Sequence, residues 1–147
     1  FGLIGAGSIA GYHVDGLRAA GGEVAAIAAG SRASAEKAAR TFAISRACDW
    51  RAMLSDGGID AVIVATPDDT HEEIAIAAID AGIPCLVQKP LAHESGAAMR
   101  IARYSSERGS FLGTSFMHRH FPEVRALAAM LIGPDSLRDY GRILSIR

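Results

Sequence analysis

The first residues able to do chemistry stand near the start of the chain, where Gly5-Ala6-Gly7-Ser8-Ile9-Ala10 fits the pattern G-x-G-x-x-G/A. An apolar run, Gly2 to Ile4, precedes it, a stretch of helical spacing follows, and a second apolar run begins at Glu23. In such a strand-loop-helix unit the first glycine makes the tight turn and the second lets a diphosphate approach the backbone. The third position needs a small residue so that helix and strand pack closely, which Ala10 supplies. Free N–H groups at the helix start face the anion. The expected chemistry is the binding of a dinucleotide, with Gly5, Ala6, Gly7, Ser8 and Ile9 around its diphosphate.

An NAD site wants an Asp or Glu about 20 residues beyond such a loop, where it accepts hydrogen bonds from the ribose hydroxyls. The segment Val24 to Ala35 contains no carboxylate, and Gly30-Ser31-Arg32 stands at the place in question. A hydroxyl from Ser31 and a guanidinium from Arg32 suit a 2′-phosphate, because Arg grips phosphate through two parallel hydrogen bonds. NADP is therefore the favoured cofactor, with NAD the other possibility. The competing reading of the same residues is that Ser31 and Ser34 merely start a helix and Arg32 is solvated.

Two further motifs each close an apolar run. Ala65-Thr66-Pro67-Asp68-Asp69-Thr70-His71 follows Ala61 to Ala65, and Gln88-Lys89-Pro90 follows Pro84 to Val87. With the opening loop, these resemble the Gfo/Idh/MocA family of NAD(P)-dependent oxidoreductases, whose members show a GxGxxA loop, an A-T-P-x-x-x-H segment and an E-K-P tripeptide. The match runs from Phe1 to about Pro122. Thr66 and Pro67, after Ala65, would line the cleft at the C-terminal edge of a parallel sheet, where open α/β folds bind ligands. The resemblance implies that His71 positions the cofactor or caps its helix. It also implies that Lys89 stands beside the nicotinamide and the carbon that gives up hydride, handling the hydroxyl proton, and that Lys89–Pro90 is a cis bond. Position 88 departs from the family pattern, with Gln for Glu, which keeps hydrogen-bonding capacity and removes a charge near Lys89. Phe116-Met-His-Arg-His-Phe-Pro122 corresponds to the family's segment of aromatic and Arg residues, and Arg119 is a candidate to meet cofactor or substrate.

The family resemblance implies hydride transfer between a nicotinamide cofactor and a hydroxyl or carbonyl carbon of a sugar, polyol or related cyclic alcohol. It implies homo-oligomers assembled through a second α/β domain that also confers substrate specificity. Gln88 encourages one alternative, an NAD(P)-binding sensor without catalysis. A methyltransferase with a similar glycine loop is a third reading, but nothing here resembles its substrate-side chemistry.

The elements that must position these residues follow from the alternation of apolar runs with helical spacing, the signature of βα units and a doubly wound, Rossmann-like parallel sheet. Strands are expected at Gly2 to Ile4, Glu23 to Ala28, Ala61 to Ala65, Pro84 to Val87, Phe111 to Ser115 and Gly141 to Ile146. Helices are expected at Ser8 to Ala20, Ser34 to Phe42, Thr70 to Ala81, Glu94 to Arg108 and Pro122 to Ile132. Asp49 is a candidate cap for a short turn over Trp50 to Leu54, and Gly21-Gly22, Gly82 and Gly133 stand where helices should end. A change of character near Met117 to Pro122 suggests a dinucleotide domain over 1–120. Residues 121–147 would then be a crossover helix and the first strand of a second domain, in a chain that reads as a piece of a longer protein.

Composition supports this frame. Fifteen Lys plus Arg stand against 16 Asp plus Glu, a net charge of −1, which leaves no basic field for nucleic acid. Hydrophobic residues make up 50% of the 147, enough for a globular core. No apolar run approaches the about 18 residues of a membrane span, so no membrane partner is expected. Cys48 and Cys85 lack ligand spacing and read as buried free thiols in a reducing, cytoplasmic setting. His118 and His120, one residue apart with no nearby carboxylate or Cys, do not suggest zinc, and no metal is assigned.

Overall fold

The computed structural model describes residues 1–132. Six strands form one parallel sheet: β1 (Gly2–Ile4), β2 (Ala26–Ala28), β3 (Arg46–Ala47), β4 (Val62–Val64), β5 (Cys85–Gln88) and β6 (Leu112–Ser115). Their spatial order is β3-β2-β1-β4-β5-β6, so the chain winds outward from β1 in one direction and then from β4 in the other. The helices between them are α1 (Ala10–Ala19), α2 (Arg32–Phe42), α3 (Trp50–Ser55), α4 (His71–Asp80) and α5 (Ser95–Arg108).

Both faces of the sheet are covered, and the register shows how. Leu3 pairs with Ile27 on one side and Ile63 on the other, and Ile63 pairs with Leu86, so one row of side chains crosses four strands. Strand side chains alternate between faces. That row packs with Val14 of α1 and with Ala38 and Ala39 of α2. The next row, Ile4, Ala28, Val64 and Val87, meets Met53 of α3, Ile74 and Ala78 of α4 and Ile101 of α5. Apolar area removed from water on both faces is the main stabilising contribution, and Leu3, Val14, Ile27, Met53, Val62, Val64, Val87 and Ile101 are all at 0% exposure.

Two compact units divide at Ser115 and Phe116, where the sequence suggested a boundary between 120 and 121. In the second unit, a short 3-10 turn, Met117–His120, leads to α6 (Pro122–Ile132), which matches its expected span. Within that turn Arg119 sits over the Phe116 ring, 5.2 Å from its centroid, and His118 lies against Phe121. The expected strand at Gly141 to Ile146 and the stop at Gly133 lie outside the described residues.

Several boundaries differ from expectation for local reasons. α1 begins at Ala10 and not Ser8, because Ser8 and Ile9 form the turn that leads into it. α2 begins at Arg32 and not Ser34, because Ser31 is its extended N-cap and its hydroxyl accepts from the Ser34 N–H at 3.2 Å. β2 is confined to its last three residues, while Ala25 donates its N–H to the Phe1 carbonyl. β3 was absent from the sequence reading. Gly21 and Gly82 close α1 and α4 with φ of +77° and +70°, and Asp49 caps α3 through the N–H groups of Arg51 and Ala52. Cys48 and Cys85 are free as expected, but only Cys85 is buried and Cys48 is half-buried; burial pushes the Cys85 thiol up to about 12. Among the described residues no helix is long and apolar enough to cross a membrane, and no group of three or more His, Cys, Asp or Glu is placed to hold a metal.

Candidate functional site

Between β1 and β4 the strand order reverses, and a parallel sheet opens a crevice at such a point. A cleft of about 720 Å³ lies there, within the range of about 300–1,000 Å³ usual for ligand pockets. The loop Gly5–Ile9 lines it. Gly5 has φ of +117°, and a Cβ added there would fall 2.3 Å from the Ala65 carbonyl oxygen, so only glycine lets the loop lie against the end of β4. Gly7 is different: a Cβ there would meet no protein atom within 4 Å, because it faces open space. α1 then starts with no side-chain cap and no acidic residue in its first turn, leaving N–H donors and the positive end of the helix dipole for an anion. An exposed glycine cradle beside an uncapped helix start fits a diphosphate.

Ala65, Thr66 and Pro67 form the facing wall, with Gln88 beyond them at the end of β5. The Gln88 side-chain oxygen is buried and has no hydrogen-bond partner, so an acceptor stands ready on that wall. Lys89 follows at once and is exposed, and the Lys89–Pro90 peptide is cis. His71 is not on the wall. It is 1% exposed and lies beneath the two loops, with Nε2 2.9 Å from the Thr66 carbonyl oxygen and Nδ1 3.0 Å from that of Pro90. Thr70 Oγ1 is 2.7 Å from both the Thr66 hydroxyl and the Pro67 carbonyl. With one proton to give, it donates to the carbonyl and accepts from Thr66.

Ser31 and Arg32 lie off the cleft wall, which Gly30 and Ser34 reach instead. The Ser31 hydroxyl is engaged with Ser34, at 2.9 Å from its Oγ, and Arg32 pairs with Glu36 at 2.9 Å with a side chain 90% exposed. Arg119 belongs to the second unit.

Among the wall residues that the sequence did not assign to the site are Trp50 at the start of α3, and Glu73 and Ile74 in the first turn of α4. The signal for Trp50 was present, since it follows a capping Asp. What hid it was β3, too short at two residues for any alternation to show.

The family model described as an oxidoreductase family with an NAD-binding Rossmann fold, Gfo/Idh/MocA, matches residues 1–116. An inositol 2-dehydrogenase from Corynebacterium glutamicum is 31% identical over 99% of this chain and 43% of its own length. Inositol 2-dehydrogenase 2 from Saccharopolyspora erythraea is 36% identical over 97% of this chain and 41% of its own. Among solved structures, an NAD-binding oxidoreductase from Klebsiella pneumoniae superposes with a TM-score of 0.84 at 28% identity, covering 93% of this chain and 39% of that one. A 3-ketoreductase from Actinomadura kijaniata, in complex with TDP-benzene and NADP, gives a TM-score of 0.79 at 33% identity over 88% of this chain and 42% of that one. The chain thus spans about two fifths of the length of the relatives it matches.

Proposed function

The chain belongs to the Gfo/Idh/MocA family of oxidoreductases with an NAD-binding Rossmann fold, and from that premise we propose that the whole protein moves hydride between a nicotinamide dinucleotide and the CH–OH or carbonyl carbon of a polyol or sugar. The single observation that carries this reading is a glycine cradle, shaped for a diphosphate, in one cleft with Gln88, the last residue of β5 and the one before Lys89.

A bound nicotinamide dinucleotide supplies a two-electron hydride acceptor or donor. The protein's part is to hold it and to manage the proton. Gly5, Ala6, Gly7, Ser8 and Ile9 hold the diphosphate, with the α1 N-terminus complementing its charge. Thr66 and Pro67 flank it, and Gln88 offers its unpaired oxygen to a donor on the ligand. His71 fixes the loops that carry Thr66 and Pro90. The Lys89 amine accepts the hydroxyl proton as hydride leaves the carbon and returns it in the reverse direction, as a positioned acid–base group. Arg119 is proposed to meet cofactor or substrate, and assembly into homo-oligomers through a second domain belongs to the same reading.

NADP is the preferred cofactor in this proposal. Support comes from the lack of any carboxylate between Val24 and Ala35, with Ser31 and Arg32 at the adenosine end. The relative from Actinomadura kijaniata was solved with NADP.

The test is turnover of the full-length protein with either dinucleotide over a panel of polyols and sugars, inositols included. Reduction of the cofactor that disappears in Lys89→Ala, while dinucleotide affinity stays within about threefold, supports the reading. Tight dinucleotide binding with no turnover on any substrate would favour the sensor that Gln88 suggests.

A further inference from the structure

Trp50 is the only tryptophan of the chain and has no role in the chemistry above. It follows β3, and the Asp49 side chain fixes it there by accepting from the Arg51 N–H at 2.8 Å. The ring is half-buried and borders the cleft together with Ile74 and Glu73 of α4. The Arg51 guanidinium lies over the indole, 4.1 Å from a ring centroid, and Arg51 is itself paired with Glu73. An aromatic ring held by a capped helix start, an ion pair and a cation contact is a preorganised surface.

The sheet order says what that surface faces. β2 and β3 lie on one side of β1, and β4, β5 and β6 on the other. Gln88 and Lys89 are therefore on the opposite side of the glycine loop from Trp50. A dinucleotide whose diphosphate rests on Gly5–Ile9 and whose reacting ring lies toward Lys89 must send its other base toward β2 and β3. Ala29 and Gly30, at the end of β2, border the same cleft and present no bulky side chain.

We infer that Trp50 and Ile74 form the two apolar walls of the purine subsite, with the indole stacking on the adenine of the bound dinucleotide. This rests on the dinucleotide reading above. Base–aromatic stacking contributes enough that its removal weakens binding by about tenfold or more. Specificity follows too: a flat base is favoured at this end, whereas the nicotinamide end gains nothing from Trp50.

Calorimetric titration of the full-length protein with ADP-ribose, and separately with nicotinamide mononucleotide, tests this. The expected result is an ADP-ribose affinity about tenfold weaker in Trp50→Leu, restored to within about threefold in Trp50→Tyr, with nicotinamide mononucleotide binding unchanged in both. A second readout needs no loss-of-function variant: the indole emission present in the wild type and missing in Trp50→Phe should be quenched on saturation with ADP-ribose. Wild-type affinity in a folded Trp50→Leu, or emission indifferent to ADP-ribose that calorimetry shows to be bound, overturns the role of Trp50 and leaves the cofactor reading intact. Absence of any binding of ADP-ribose and of both dinucleotides to the wild type overturns the cofactor reading itself.

Discussion

His71 Nδ1 sits 3.0 Å from the carbonyl oxygen of Pro90, and through that contact the loop after β4 is joined to the loop after β5. The same ring reaches the Thr66 carbonyl with its other nitrogen, at 2.9 Å. The residues these loops carry, Thr66 and Pro67 on one and Lys89 on the other, follow separate strands, and the pairing of β4 with β5 ends at Val64 and Val87. One buried imidazole holds their continuation together. Removing it in His71→Ala leaves a cavity and takes away the one ring N–H that a loop carbonyl accepts from, a cost of about 2–5 kcal/mol. Urea unfolding should show that loss, and residual activity of the intact protein should fall in kcat more than in cofactor affinity.

The two glycines of the loop should respond differently to the same substitution. Gly5→Ala drives a Cβ to 2.3 Å from the Ala65 oxygen at φ of +117°, so the fold itself must yield. A loss of about 2 kcal/mol or more is expected, with a lower Tm. Gly7→Ala meets no protein atom within 4 Å and should leave Tm nearly unchanged. It places a methyl group where the diphosphate must approach, so dinucleotide affinity should drop about tenfold or more. Equal affinity in Gly7→Ala and wild type would remove the cradle from the mechanism.

His13 supplies a pH dependence of stability. It is a half-buried residue of α1 whose Nε2 is buried without a partner, and burial lowers its pKa from the usual 6.5. Below 6.5 the unfolded chain takes up a proton that the folded chain still refuses, so the unfolded state gains and stability falls. Above that value both states are neutral and the effect vanishes. Wild-type stability should therefore decline as pH drops from 6.5 toward the folded-state pKa, and His13→Leu should flatten that part of the profile. The comparison is a set of urea midpoints measured at several pH values.

The parts of this molecule that were legible in sequence are those written in periodic or near-local code. β1 and α6 match their expected bounds, and the remaining expected elements within residues 1–132 shift at their ends by up to three residues. Asp49 caps α3 because an Asp before a helical turn needs only the next N–H groups to act. β3 was illegible because two residues, Arg46 and Ala47, hold their place by pairing with β2 and not by any pattern of their own. The wall formed by Trp50, Glu73 and Ile74 was hidden for a related reason: it exists only once β3 directs α3 beside α4, a contact between distant segments. His71 was visible as a motif residue, whereas its second partner, Pro90, lies 19 residues away and had no local signature.

Arg32 tests the cofactor preference. It lies off the cleft wall, two residues beyond Gly30, which does reach the wall, and pairs with Glu36 across one helical turn with a side chain 90% exposed. An exposed i,i+4 pair is held weakly, since solvent screens it and two long side chains must be ordered to make it. A 2′-phosphate offers more: two negative oxygens that a guanidinium meets with parallel hydrogen bonds. Release from Glu36 therefore costs little, and the Arg can swing to the phosphate when NADP is bound. Arg32→Ala should weaken NADP binding by about tenfold or more while NAD affinity changes by less than about twofold. Glu36→Gln, which frees Arg32, should leave NADP binding equal or slightly tighter. Titration of both variants with both dinucleotides separates the cases. If wild type binds NAD and NADP equally, or if Arg32→Ala keeps the wild-type ratio, the guanidinium has no part in choosing the cofactor.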